Sequence, residues 1–217
     1  MITMAKKHDI RIDRSKLHPL LNYKLGLFLD KCEKKGYYLI VTEGFRTKDY
    51  QDELYAKGRS KPGNIVTSAK GSDYASQHQW GIAFDVALNF DVDKDGKVTD
   101  DMWNANGYKK IAKIAKSVGL KWGGDWTSFV DNPHFYLGKW GSTTKKLKEK
   151  YRTPLKFKST WKAKTTKAIN LYKGKSMGKK IRTIVKNENV RVLFRKFNYA
   201  KVEYEGIYGY VRKKYLK

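Results

Sequence analysis

The segment Ser76-Gln77-His78-Gln79-Trp80-Gly81-Ile82-Ala83-Phe84-Asp85, answered much later by Asp131-Asn132-Pro133-His134-Phe135, constrains this chain most, because it supplies two imidazoles and a carboxylate. Three such ligands leave a zinc ion one open position, which can hold a water and lower its pKa towards neutrality. A structural zinc is instead closed by four protein ligands, usually rich in Cys. This chain has a single cysteine, Cys32. Taken singly, each of His78, Asp85 and His134 also fits a hydrogen-bonded interior residue; taken as a set they point to a metal. His78 and Asp85 are read at the two edges of one strand, so reaching one ion requires a bend, and Gly81 provides the freedom for it. Pro133 restricts the backbone just before His134 and suits rigid presentation of a ligand. Asp131, three residues before His134, is placed to take a proton from a zinc-held water and return it to a leaving amine.

With 217 residues, of which 40% are hydrophobic and 14% aromatic, the chain has ample material for one or two packed cores. It contains no run of eighteen apolar residues, and its start, Met1-Ile2-Thr3-Met4-Ala5-Lys6-Lys7-His8-Asp9, lacks the apolar core of a secretory signal. Neither membrane insertion nor export by a leader is expected. Cys32 lies on the apolar side of a helix and reads as core packing. The formal charge of +26 is large enough to drive association with polyanions, nucleic acid or cell-wall polymers. Residues 151–217 carry 20 Lys or Arg against 3 Glu, a net of +17, whereas residues 1–150 carry 27 basic against 18 acidic residues. The carboxy-terminal third is therefore the polyanion-facing part.

Ser15 is expected to cap a helix carrying Leu17, Leu21, Leu25, Phe28 and Cys32 and ending at Gly36. Tyr37–Thr42 reads as a strand, and Thr47 opens a second helix that Gly58 stops, so Arg46 falls in a strand-to-helix turn. Residues 59–75 form an exposed loop; Ile82–Leu88 is a short buried strand, and a helix follows over about 106–118. His134 is expected on another short strand. The Lys-rich stretch 146–158 reads as a linker between a domain over 1–145 and a small all-β barrel over 159–217.

The pattern Ser76-x-His78-x-x-Gly81-x-Ala83-x-Asp85 with Asp131-x-Pro133-His134-Phe135 resembles the zinc peptidases that comprise D-Ala-D-Ala carboxypeptidases, D,D-dipeptidases and phage or bacterial L-alanyl-D-glutamate endopeptidases. The resemblance covers about residues 15–140. It implies an α+β, hedgehog/D,D-peptidase-like domain in which His78, Asp85 and His134 hold zinc and Asp131 is the catalytic base. It also places Arg46, within Glu43-Gly44-Phe45-Arg46, beside the scissile carbonyl, where a guanidinium stabilises developing negative charge. Read from the residues alone, Arg46 fits a salt bridge with Glu43 or Asp49 equally well. Ser76 is expected to bind substrate or orient His78, with an ordinary turn cap as the alternative. Asp131 is one methylene shorter than the Glu that many relatives carry, so the backbone must approach closer; this resembles the endopeptidase branch, with Trp122-Gly123-Gly124-Asp125-Trp126 as further support. Asp125 is either a partner behind the ligands or a turn carboxylate. Trp122, Trp126 and Phe129 are expected in the core or the pocket wall.

Asp91-x-Asp93-x-Asp95-Gly96 reads like the first part of a calcium loop, although the twelfth position is Met102, with Asp100 and Asp101 adjacent, instead of Glu. Lys201–Arg212 with Tyr215-Leu216 resembles the closing strands of a bacterial SH3-like domain, which implies cell-wall binding by tyrosines and lysines. The combined expectation is a phage-type endolysin cutting the L-Ala-D-Glu bond of Gram-positive peptidoglycan. Such an enzyme would be made in the host cytoplasm and released through a holin, with peptidoglycan and anionic wall polymers as partners. The alternatives are a D-Ala-D-Ala carboxypeptidase and, in a different class, a non-catalytic basic protein binding wall polymers or nucleic acid.

Overall fold

The computed structural model describes residues 7–217. The chain forms two compact units, one with residues through Leu17 and Leu21–Arg152, the other with His18–Leu20 and Thr153–Lys217. The segment expected as a linker is helical: it contains α4 (Lys145–Tyr151) and α5 (Pro154–Ser159), and the boundary between the units falls within it. Thr153 accepts from the Lys156 amide and Pro154 opens α5, a start pattern that the lysines masked when the stretch was read for apolar periodicity.

The first unit is built on a five-stranded sheet of β1 (Asp9–Ile10), β2 (Leu39–Glu43), β3 (Ala83–Leu88), β4 (Lys121–Trp122) and β5 (His134–Tyr136), in the order β1-β2-β3-β5-β4. Only β1 and β2 are parallel; the remaining neighbours are antiparallel. α1 (Pro19–Glu33) and α3 (Ala105–Ser117) supply the apolar cover. Phe28 of α1 sets its ring 6.1 Å from Phe84 and 5.3 Å from Phe135, and Tyr108 of α3 donates to the Val86 carbonyl at 2.8 Å. α1 begins at Pro19 instead of after Ser15: Asp13 caps a separate 3-10 turn over Arg14–Lys16, and proline opens the helix proper. Cys32 is fully buried in this core, where desolvation pushes its thiol up to about 12. His8, which matches no motif, is a structural pin: it accepts from the Leu39 amide through Nδ1 and donates through Nε2 to the Leu29 carbonyl. α2 (Lys48–Ala56) starts as expected, with Thr47 accepting from the Tyr50 amide.

The second unit is all-β. Its strands β6 (Lys162–Lys164), β7 (Ile169–Tyr172), β8 (Lys180–Ile184), β9 (Asn189–Lys196), β10 (Tyr199–Tyr204) and β11 (Ile207–Arg212) follow the order β6-β9-β10-β11-β7-β8, every pair antiparallel. One face holds a contiguous core of Ile169, Leu171, Ile184, Val190, Val192, Val202 and Val211. Among the tyrosines Tyr204 is buried in that core, whereas Tyr172, Tyr199, Tyr208 and Tyr210 remain partly exposed. No helix among the described residues is long and apolar enough to cross a membrane.

Candidate metal centre and active site

The antiparallel register assembles the site. Asp85 on β3 stands opposite both Glu43 on β2 and His134 on β5, so three functional side chains form one row across the sheet. Successive residues of a strand face opposite sides. Phe84, Val86 and Phe135 therefore pack into the core while Asp85 and His134 face the other way, into a cleft of about 420 Å³. His78 arrives differently from expectation: it lies on a 3-10 turn, Gln77–Trp80, and not on the strand of Asp85. Gly81 ends that turn in the left-handed region (φ +64), which is the bend the spacing required.

His78 Nε2 lies 3.3 Å and His134 Nδ1 3.0 Å from Asp85 Oδ1, and the two nitrogens are 3.3 Å apart. Tetrahedral ligands at zinc-to-nitrogen distances of about 2.0–2.1 Å stand roughly 3.3 Å from one another. The far side of each ring is already committed. His78 Nδ1 donates to the Gly44 carbonyl at 2.7 Å, and His134 Nε2 donates to Gln77 Oε1 at 2.8 Å. Gln77 Nε2 donates in turn to the Gly141 carbonyl, which sets the amide with its oxygen towards His134. Both rings thus turn lone pairs inward on a carboxylate oxygen, an arrangement that is repulsive unless a proton or a cation lies among the three atoms. Burial raises the Asp85 carboxyl, yet the two imidazoles, His78 foremost, outweigh it and hold Asp85 well below the usual carboxylate range. The residues present therefore fit a small tetrahedral metal ion, with Asp85 in the ionised form that a ligand needs.

Arg46 makes the salt bridge with Glu43 and also reaches the cleft. Its Nη2 lies 3.3 Å from Asp85 Oδ2, its Nε 3.3 Å from Glu43 Oε2, and its Nη1 donates to Gln51 Oε1, while the side chain lines the cleft. Glu43 also accepts from the Tyr50 hydroxyl at 3.2 Å, so the guanidinium is held from several sides. Asp131 lines the same cleft, with its amide bonded to the Gly123 carbonyl and its carbonyl accepting from the His134 amide. Burial raises its carboxyl above the ordinary value, with His134 opposing and Asp85 adding to the rise. A carboxylate so shifted is the stronger base. Gly123 lies tight against the turn that carries Asp131 and His134: a Cβ added there would stand 2.5 Å from the Asp131 carbonyl oxygen and 3.0 Å from the His134 Cβ.

Ser76 is the residue before the Gln77–Trp80 turn; its amide donates to Gln79 Oε1, and it also lines the cleft. Asp125 is the turn carboxylate of the two alternatives, paired with Lys116 at 2.8 Å on the surface. Trp122 is core, donating to the Asn132 carbonyl; Trp126 packs 5.1 Å from the His134 ring, and Phe129 is an exposed cleft residue. Gln77, the Gly44 carbonyl and Trp103, which is exposed on the cleft rim, were not identified from the sequence. None belongs to a spacing pattern; a carbonyl has no sequence signature, and a lone Gln beside His reads as an ordinary polar residue.

The acidic loop brings Asp91, Asp93 and Asp95 together with oxygens within 4.8 Å of one another. Asp91 accepts from the Lys94 and Gly96 amides, and Gly96 takes the left-handed turn. Asp101 does not complete the group: it is buried, accepting from the Val92 amide and from Asn104 Nδ2.

A peptidase M15 family model described as D-alanyl-D-alanine carboxypeptidase matches residues 70–137. The chain is 43% identical over 129 residues to the peptidoglycan L-alanyl-D-glutamate endopeptidase CwlK of Bacillus subtilis (strain 168), a match covering 57% of this chain and 74% of that one. The chain belongs to the M15 peptidases. It is also 35% identical over 120 residues to the L-alanyl-D-glutamate peptidase of Listeria phage A118, spanning 54% of this chain but 36% of that relative. A solved structure, the L-Ala D-Glu endopeptidase ChiX of Serratia marcescens, is 25% identical with a TM-score of 0.42, covering 57% of this chain and 82% of that one. The match over 70–137 spans the loop before His78 through β5 and thus contains His78, Asp85, His134 and Asp131, while Arg46 lies outside it.

For this M15 peptidase, Gln77→Leu is expected to leave the fold intact but weaken zinc about 10–100-fold, the usual cost of losing the partner behind a ligating His. Competition with a chromogenic chelator measures it. Unchanged affinity would remove Gln77 from the metal site.

Proposed function

We propose that this enzyme is a zinc-dependent peptidoglycan endopeptidase that cleaves the stem peptide between L-Ala and D-Glu. The observation that carries the zinc reading is the inward convergence of His78 Nε2, His134 Nδ1 and Asp85 Oδ1 at 3.0–3.3 Å, with their outer positions committed elsewhere. Zinc, when bound, supplies Lewis acidity and a water of lowered pKa. The chain's own residues do the rest. The Asp131 carboxylate accepts a proton in the cleft and later returns it to the departing D-Glu nitrogen. The Arg46 guanidinium, held by Glu43, Gln51 and Asp85, faces the carbonyl oxygen as negative charge develops there. Trp126 backs His134.

The choice of the L-Ala-D-Glu bond over the D-Ala terminus, which the description of the family model names, follows the endopeptidase relatives. Digestion of purified Gram-positive peptidoglycan with the zinc-loaded enzyme, followed by mass spectrometry of the freed ends, decides it. New D-Glu amino termini are expected; free D-Ala would replace this reading with a carboxypeptidase. The phage relative supports an endolysin released through a holin, and the strand pattern with a charge of +17 in residues 151–217 supports an SH3-like domain binding anionic wall polymers. Calcium at Asp91, Asp93 and Asp95 is a subsidiary part of the proposal, supported by their proximity and the Gly96 turn. Calcium is expected to raise the melting temperature of the wild type and not that of Asp93→Asn, and equal curves would discard it.

A further inference from the structure

We infer that the all-β unit carries a discrete phosphate-binding pocket formed by Lys167, Arg212 and Tyr215, with Lys214 against the Tyr215 ring, made to hold a phosphodiester of a polyol-phosphate wall polymer. This deepens the wall-binding reading above and rests on it. A concavity of about 180 Å³ is lined by Lys167, Ile169, Asn170, Tyr172, Arg212 and Tyr215. The chain brings these together from the turn after β6, from β7 and from the end of β11, where the Thr165–Leu216 bridge closes the two ends of the domain onto each other. The ammonium groups of Lys167 and Lys214 lie 4.3 and 5.1 Å from the centroid of the Tyr215 ring. Hydrogen bonding by Lys167, then by Lys214, lowers the Tyr215 phenol.

The charges are uncompensated. Among the described residues, no carboxylate lies within ion-pair distance of Lys167, Arg212 or Lys214, whereas elsewhere in the unit Glu203 pairs with Arg191 and Glu205 with Arg182. Lys167 and Arg212 in the lining and Lys214 beside Tyr215 are like charges that repel one another and are stabilised by an anion entering the hollow. Arg212 offers a planar fork suited to two oxygens of one phosphate, and the lysines offer point charges to the remainder. The lining of Asn170, Tyr172 and Tyr215 is polar and aromatic, fit for the hydroxyls and carbons of a polyol beside the phosphate.

The test uses the full-length chain at about 0.15 M salt, titrated calorimetrically with a synthetic glycerol-phosphate oligomer, a polyglutamate of matched charge and a single-stranded oligonucleotide. The double variant Lys167→Gln/Arg212→Gln is compared with Lys175→Gln/Lys179→Gln, which removes equal charge from exposed positions outside the pocket. The expected result is preference for the glycerol-phosphate oligomer. The pocket variant should lose at least about tenfold in affinity, and its slope of log K against log salt should fall by about one for each lost phosphate contact. The control variant should stay within about twofold of wild type. Equal loss in both variants would reduce the effect to diffuse charge, and tighter binding of polyglutamate or of the oligonucleotide would overturn the assignment. Cleavage of a soluble muropeptide should be the same in all three proteins. Its loss in all of them would discredit the peptidase reading and not the pocket.

Discussion

Asp131→Asn is expected to lower kcat/KM for peptidoglycan by about 10²–10⁴-fold, the usual worth of a positioned general base. Zinc affinity should be nearly unchanged, because Asp131 sits on the cleft without belonging to the His78-Asp85-His134 cluster. The two measurements together separate a base from a ligand: loss of both would make Asp131 part of the metal site. The substitution should also stabilise the metal-free fold at neutral pH. Burial raises the Asp131 carboxyl, so ionising it costs more in the folded chain than in the unfolded one. That penalty is fully present above the raised folded value and vanishes below the unfolded value of about 4. The gain in melting temperature on replacing Asp131 should therefore be present at pH 7 and fade as pH falls through that window.

Gly123→Ala is the second large effect, and it removes no reacting group. A methyl there would stand 2.5 Å from the Asp131 oxygen and 3.0 Å from the His134 Cβ, both parts of the turn that delivers base and ligand together. The neighbouring atoms are backbone and Cβ, so the clash cannot be relieved by swinging a flexible side chain aside. The Asp131–His134 turn must shift, and displacements of about 1 Å in such a site cost on the order of 10²-fold in rate. The expected outcome is a loss of that size in kcat with the β3–β5 core still folded, since Phe84, Phe135 and Phe28 pack on the opposite face. Steady-state kinetics with circular dichroism as the fold control tests it; wild-type kcat would show that the turn is more compliant than its packing indicates.

The grouping of His78, Asp85 and His134 was legible because its chemistry is scarce: two His and one Asp in aromatic surroundings leave few other uses, and the Gly81 bend follows from spacing alone. The presentation of His78 was not legible, since a 3-10 turn of four residues has no periodicity to read. The strand before Arg46 and the cap at Thr47 were evident, whereas the helices α4 and α5 were hidden because lysines dominate their faces. Gln77 and Gly44 escaped for a different reason. They act through an amide oxygen and a backbone carbonyl, and only the three-dimensional arrangement shows which imidazole each one orients.

Asp85 spends its two oxygens on different business, one turned to the imidazoles and the other to Arg46. In the proposed zinc-loaded enzyme, ion retention and guanidinium posture are thereby thermodynamically linked, and linkage runs both ways. A ligand that draws Arg46 off Asp85 leaves the carboxylate more of its negative charge for the ion and tightens its hold; a ligand that presses Arg46 onto Asp85 loosens it. Occupancy of the catalytic cleft could thus be followed, without any turnover, as a change in how fast a chelator strips the enzyme.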